Sequence, residues 1–442
     1  MKSRVPALEG VEKWWPHAEA APKLGKGRDG SLRISANGTR TCSGGWDLRY
    51  GGVVPGAVYH IEMDVTYEDL DHPREMVGAM VTWGRKGRRA PIDRLMPEQT
   101  GPNARRLVRT VQAPPEMDSM TIRCFLRWSP KGTSSWSMPV VRPASMPRLR
   151  PARVCLVTGS LPRVHEHEAR SMADNIQFYG GICEQAAKAV KPDLLVLPEI
   201  ALHIGALGGP FRSAVTIPSE ETDAFAGIAK KYKTHLVLGL YEREDDAVFN
   251  CALLFDRKGR VTGRYHKVHL APGEDLSGVL PGDGFPVYST DIGALGFNIC
   301  MDTSAVESSR MVGLNGADFL VMPIMGDHRA DRHSPGPPIY NDDRWRAIMR
   351  VHAMDNQLTM VVARNEGEGS CIIDRKGDIL AYNEGDLDYV WADVPARQPF
   401  RKHSGYCNRD TNWGQRRPHL YGPFVDESNY GNMRIAQTTG EP

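Results

Sequence analysis

Two rhythms of hydrophobic and polar residues run along this chain, and one gives way to the other near residue 150. Before that point, short segments alternate strictly. In AVYHIEMDV, Val58, His60, Glu62 and Asp64 alternate with Tyr59, Ile61, Met63 and Val65. A period of two puts one set on the dry face of a strand and the other on a wet face. SLRIS, WDLRY, GAMVTWG, RLVRTVQA and MTIRCFLRWS belong to the same class, and turn-rich stretches (GGVVPG, DLDHP, APPEMD) separate them. Many short strands with little helical patterning predict an antiparallel β-sandwich over residues 1–150. Its end, MPVVRPASMPRLRPARV, carries Pro139, Pro143, Pro147 and Pro151. Proline fixes the backbone and removes a donor, so this stretch is read as a linker.

Beyond it the apolar runs are nearly continuous: ARVCLVTG, DLLVLPEI, THLVLGLYE, NCALLFD, GALGFNIC, ADFLVMPI, LTMVVARN and SCIIDRKG. Strands this apolar are usually covered on both faces. Helical segments lie between several of them: HEHEARSMADNIQFYGGICEQAAKAV, SEETDAFAGIAKKYK, SSRMVGLNG and RWRAIMRVHAMDNQ. In the second, Phe225, Ile228, Ala229 and Tyr232 recur at spacings of three and four, and Ser219 stands as its cap. The alternation implies a layered α/β domain over residues 151–400. The tail, 401–442, is polar but holds Trp413, Tyr421, Phe424 and Tyr430. That is too aromatic for a disordered segment, and it is expected to pack on its own domain or on a partner subunit.

The totals narrow the function classes. The 442 residues exceed one ordinary core, and the formal net charge of +2 argues against a nucleic-acid binder that relies on bulk charge. No apolar run is long enough for a membrane span. The start, MKSRVPALEGVEKWWP, lacks the apolar stretch of a signal peptide, so a cytoplasmic location is expected. The eight cysteines are scattered and form no CxxC or Cys/His pair, which fits free thiols in a reducing compartment and no zinc site. Cys42 and Cys124, both in the N-terminal third, are the one pair weighed for a disulfide.

Three strand ends in the second domain carry reactive side chains: Glu199 in DLLVLPEI, Lys267 in GRYHKVHL and Cys300 closing LGFNIC. Taken singly, each has a bland reading as turn carboxylate, surface lysine or core filler. Together they make chemical sense. A cation favours the reactive thiolate, a carboxylate moves protons, and an ammonium meets the oxyanion of a tetrahedral intermediate.

These segments resemble the nitrilase (carbon-nitrogen hydrolase) superfamily. Glu199, Lys267 and Cys300 look like its Glu-Lys-Cys triad. ICMDTSAVESSR adds Asp302, Glu307 and Arg310 in the family's frame, followed by GADFLVMP. YHKVHLAPGE matches the lysine segment, and RAIMRVHAMDNQLTMVVARNEGEGSCIIDRKGDILA the late helix, strand and hairpin. The resemblance covers residues 151–395. It implies an α-β-β-α sandwich hydrolase domain that needs no metal or organic cofactor. It further implies that Cys300 forms a thioester, Glu199 acts as general base, and Lys267 with the Met301 backbone N–H stabilises the oxyanion. Glu274 matches a fourth acidic residue that positions substrate or assists proton transfer. Family members commonly dimerise, so a homo-oligomer is expected by analogy.

The residues after the cysteine address the branch. Nitrilases proper usually carry Trp-Glu there; this chain has Met301-Asp302. The acid favours the amidase and carbamoylase side, while Met301 fits no branch cleanly. The expected activity is therefore hydrolysis of a small linear amide or N-carbamoyl compound. The alternatives are a nitrilase, an acyl transferase using the same thioester, and an inactive hydrolase fold that only binds. The polar loop MGDHRADRHSPGPPIYNDDRW follows a strand, and Met325, Asp327 and His328 are its expected substrate contacts. The N-terminal domain loosely resembles the jelly-roll sandwiches of carbohydrate-binding and accessory modules. Sugar stacking on Trp83 or Trp128 is weighed there against two core aromatics, and the core reading is favoured.

Overall fold

A computed structural model describes residues 5–84, 91–146, 150–159, 170–206, 208–325, 340–365, 367–395 and 407–426. The chain divides into two compact units, one of residues 1–148 with 399–442, the other of residues 149–398.

Among the described residues the first unit is all-β apart from short helical turns. One sheet has five antiparallel strands in the order Ala7–Trp14, Ser43–Gly51, Ser119–Arg127, Val77–Gly84 and Ile92–Arg94. The other is built around Val58–Glu68, whose Tyr59, Ile61, Met63, Val65 and Tyr67 are buried, as the alternation requires. The core joins these to Trp46, Trp83 and Trp136. Trp83 has no exposed surface and donates its indole N–H to Asp93 Oδ2 at 2.7 Å, so its ring is not available to stack on a sugar. Trp128 is half-exposed, with the guanidinium groups of Arg127 and Arg417 over its ring.

Two readings change. Within the presumed linker, Val140–Pro143 is an edge strand on Val58–Glu68, a position where proline's missing donor is tolerated. The tail, expected to pack on its own domain or on a partner subunit, belongs to the sandwich unit over its described part. Arg94 and Arg109 supply the reason. Both are largely sheltered, and the helix Asn408–Gly414 brings them Asp410 and the Gly414 carbonyl as acceptors. Glu75 likewise pairs with Arg417 and His419.

The second unit has four layers. One six-stranded sheet runs Val261–His266, Ala247–Phe255, His235–Glu244, Leu194–Val196, Ala152–Val157 and Tyr389–Val394. The other runs Val287–Thr290, Gly293–Phe297, Phe319–Ile324, Thr359–Arg364, Cys371–Ile373 and Ile379–Tyr382. Between them lies a core of Val154, Val196, Val237, Leu254, Phe297, Val321 and Val361. Helices Met172–Val190 and Glu220–Tyr232 cover the first sheet, burying Ile182, Phe225 and Ile228 against Leu195, Leu236 and Leu253. Val306–Leu314 and Asp342–Asn356 cover the second. The result is an α-β-β-α sandwich, and burial on both faces explains the continuous apolar runs. The Ser219 cap forms, its hydroxyl accepting from the Thr222 N–H. Among the described residues no helix is long and apolar enough to cross a membrane.

Candidate active site

The strand Leu194–Val196 runs on through Leu197 and Pro198 to Glu199, where the backbone turns sharply and Ile200 takes a left-handed conformation. Gly239 on the next strand makes room for that turn. A Cβ there would lie 2.2 Å from the Pro198 carbonyl oxygen. Glu199 is 3% exposed and Lys267 1% exposed, so two charged groups share a dry site and must be paired. They are: Lys267 Nζ donates to Glu199 Oε1 at 2.9 Å and to Glu274 Oε2 at 2.7 Å. Glu199 Oε2 accepts the Met325 backbone N–H at 2.8 Å, and Glu274 Oε2 accepts that of Ala271 at 2.8 Å. Burial pulls the Lys267 ammonium down, but Glu199, Cys300 and Glu274 outweigh it and hold it well above the usual lysine range. Two of its three N–H bonds go to carboxylates, which leaves one for a substrate oxygen.

Cys300 opens the short helical turn Cys300–Ser304 beyond the strand Gly293–Phe297. Of the eight cysteines it is the one that is not buried. Burial pushes the Cys124, Cys155 and Cys371 thiols up to about 12, out of reach of nucleophilic chemistry at neutral pH. Cys300 instead sits with Glu199, Glu274 and Lys267 in the electrostatic surroundings of the Tyr241 hydroxyl, which burial and the anionic members raise against the pull of Lys267. Its backbone is left-handed, with φ +43°, a strained conformation that a surrounding network must hold.

Asp302 is that network's centre. Fully buried, its Oδ2 accepts from the Ile299 N–H at 2.8 Å and the Tyr265 hydroxyl at 2.7 Å. Its Oδ1 accepts from the His269 N–H at 2.9 Å and lies 2.8 Å from His269 Nδ1. The acid two residues after the cysteine thus ties the Cys300 turn to the lysine segment. Met301 lies within the same turn, partly exposed.

The structure therefore brings Glu199, Lys267 and Glu274 into direct contact and sets Cys300 beside them. Met325 enters through its backbone, as a donor to Glu199, with its side chain against the helix-side core. Asp327 and His328, with the rest of the polar loop to residue 339, lie outside the described residues. Sequence reasoning passed over Tyr241 and Asn250, which sit in runs read only as buried strands. The available signal was an asparagine opening an apolar run, on the same strand face as Ala252 and Leu254. On the opposite face, Glu242, Cys251 and His266 cluster, but Arg264 already neutralises that carboxylate at 2.9 Å and His266 Nε2 lies 2.8 Å from its other oxygen.

His203 supports the glutamate turn from below. Its Nε2–H donates to the Ser213 carbonyl at 3.0 Å, its Nδ1 accepts the Tyr241 N–H at 3.2 Å, and its ring meets Tyr241 edge-on. This is a neutral imidazole, and burial pulls its pKa to about 4. A pKa below the unfolded value near 6.5 contributes stability that is present above that value and lost as pH falls through 4. Chemical denaturation between pH 7 and 4 should show wild type losing up to about 3 kcal/mol more than His203→Gln. Parallel curves would remove His203 from the acid transition.

The family model described as carbon-nitrogen hydrolase matches residues 164–397. A probable nitrilase of Schizosaccharomyces pombe is 28% identical over 246 residues, covering 52% of this chain and 84% of that protein. A citrullinase of Francisella tularensis is 29% identical over 218 residues, covering 45% and 72%. A carbon-nitrogen hydrolase structure from Helicobacter pylori aligns with TM-score 0.49 at 21% identity, over 63% of this chain and 99% of that one. The chain belongs to the carbon-nitrogen hydrolase family.

Proposed function

We propose that this protein hydrolyses a small linear amide or an N-carbamoyl compound through a thioester on Cys300. The observation that carries the reading is a buried lysine bridging two carboxylates beside the one cysteine that is not buried. In the first step Glu199 takes the thiol proton and sulfur attacks the carbonyl carbon. The oxyanion meets the uncommitted N–H of Lys267 and the backbone N–H of Met301. Glu199 then gives its proton to the leaving nitrogen, the C–N bond breaks, and ammonia or an amine departs. Water attacks the thioester, Glu199 accepts its proton, and collapse breaks the C–S bond. The proton passes to sulfur and the acid leaves. Two moderate barriers replace one high one.

Asp302, rather than a glutamate, after Met301 supports the amide side. So does a relative named citrullinase, whereas one named probable nitrilase keeps the nitrile in play. The test is an ammonia-release screen over linear amides, N-carbamoyl amino acids and nitriles, with Cys300→Ala as control. Turnover of an amide or carbamoyl compound is expected. Ammonia from a nitrile without activity on the matching amide would replace this reading with that of a nitrilase.

A further inference from the structure

Asn250 touches every charged member of the site except the thiol. It is 1% exposed and lies on the strand Ala247–Phe255, in register with Tyr241. Its Nδ2 donates to Glu199 Oε1 at 2.8 Å and to Glu274 Oε1 at 2.7 Å. Its backbone carbonyl accepts the Lys267 N–H at 2.9 Å. The side chains of Glu199, Lys267, Glu274 and Asn250 thus close a ring, in which each carboxylate is held once by the ammonium and once by the amide.

The ring has an electrostatic problem that Lys267 alone does not solve. Two carboxylates share one ammonium, and one cation cannot balance both where Glu199 and Lys267 are buried. Like charges this close favour protonation of one of them. The amide supplies two further donors without adding charge, one to each carboxylate. Its orientation is forced, since turning it over would set the carbonyl oxygen against both carboxylates. The consequence is visible at the other end of the group. Asn250 Oδ1 is buried and has no partner among the described residues. An orphaned acceptor costs stability, so a residue chosen for packing alone would not leave one. Lys267, Tyr241 and Cys300 are the other titratable groups facing the pair. Glu242 and His266 are the chain neighbours of Tyr241 and Lys267 and point to the opposite face of the sheet.

We propose that Asn250 is a positioning residue that keeps Glu199 and Glu274 ionised side by side, so that Glu199 remains an available base at neutral pH. This rests on the hydrolase reading above and deepens it. Without the amide donors one carboxylate keeps its proton to higher pH, Lys267 turns toward the remaining anion, and the base is lost.

Asn250→Leu tests this, having similar volume and no donor. Alkylation of Cys300 by iodoacetamide, followed by intact mass against pH, needs no knowledge of the substrate. Steady-state profiles on the best amide from the screen give kcat and KM separately. The acid limb of both profiles should move up by about one pH unit. At neutral pH, kcat should fall roughly tenfold or more, with KM nearly unchanged. Asn250→Ser, which keeps one donor, should fall between the two and serves where Asn250→Leu does not fold. Profiles that superimpose on wild type, with only the melting temperature lowered, would make Asn250 a structural residue and overturn the inference. A wild-type protein whose Cys300 resists alkylation is a different result. It would overturn the hydrolase reading and take this one with it.

Discussion

Cys300→Ala should abolish turnover, by at least about 10⁴-fold in kcat, while the protein remains folded. The magnitude follows from the proposed covalent step: no other group in the site is placed to form the thioester, and without it the remaining residues can only bind, polarise and move protons. Folding should survive because the substitution removes a single half-buried sulfur. The bonds that shape the turn belong to other atoms. Thr303 Oγ1 donates to the Cys300 backbone carbonyl at 2.9 Å, and Asp302 holds the Ile299 N–H. The left-handed backbone is set by that network and carries over to alanine. Ammonia release by wild type and variant, beside their thermal melts, checks both halves. Activity within tenfold of wild type in a folded variant would end the thioester mechanism.

Lys267→Met should be damaging twice over. In the proposed mechanism its ammonium meets the oxyanion, and losing such a donor lowers kcat by about 10²- to 10³-fold. It also counterbalances Glu199 and Glu274, and a buried pair that loses one partner typically costs about 3–5 kcal/mol. The pH dependence separates the two effects. The folded-state pKa of Lys267 is raised, so the stability it adds is fully present below the ordinary lysine value near 10.4 and is lost as pH climbs through the folded value. The stability gap between wild type and Lys267→Met should therefore stay flat from pH 6 to 9. It should narrow in strong alkali. A variant with unchanged kcat would leave Lys267 a structural role only.

Much of this was legible in the chain because covalent spacing transmits it. Asp302 stands two residues from Cys300, and that interval lets one carboxylate hold the turn on which the thiol sits. Val58–Glu68 is a half-wet strand by its alternation alone, and Glu220–Tyr232 a helix by its spacing and its Ser219 cap. Other elements were opaque for physical reasons. Ala7–Trp14 and Met96–Gly101 lie at sheet edges with mostly exposed side chains, so no hydrophobic period marks them. The helix Asn408–Gly414 is short and polar, and its place is decided by two arginines some 300 residues earlier in the chain.

The amino-acid sequence by itself determined the two-part organisation, the layered second domain and the three strand ends that bear Glu199, Lys267 and Cys300. Those are matters of period and interval, which a chain carries in one dimension. Only the tertiary structure decided that Asn250 closes a ring with two carboxylates, that Met325 contributes its backbone, and that the described part of the tail joins the sandwich unit. Each of these depends on where a donor ends up when strands distant in sequence are brought side by side. A buried charge takes whichever partner the fold delivers within hydrogen-bond reach, and no local pattern in the chain encodes that distance.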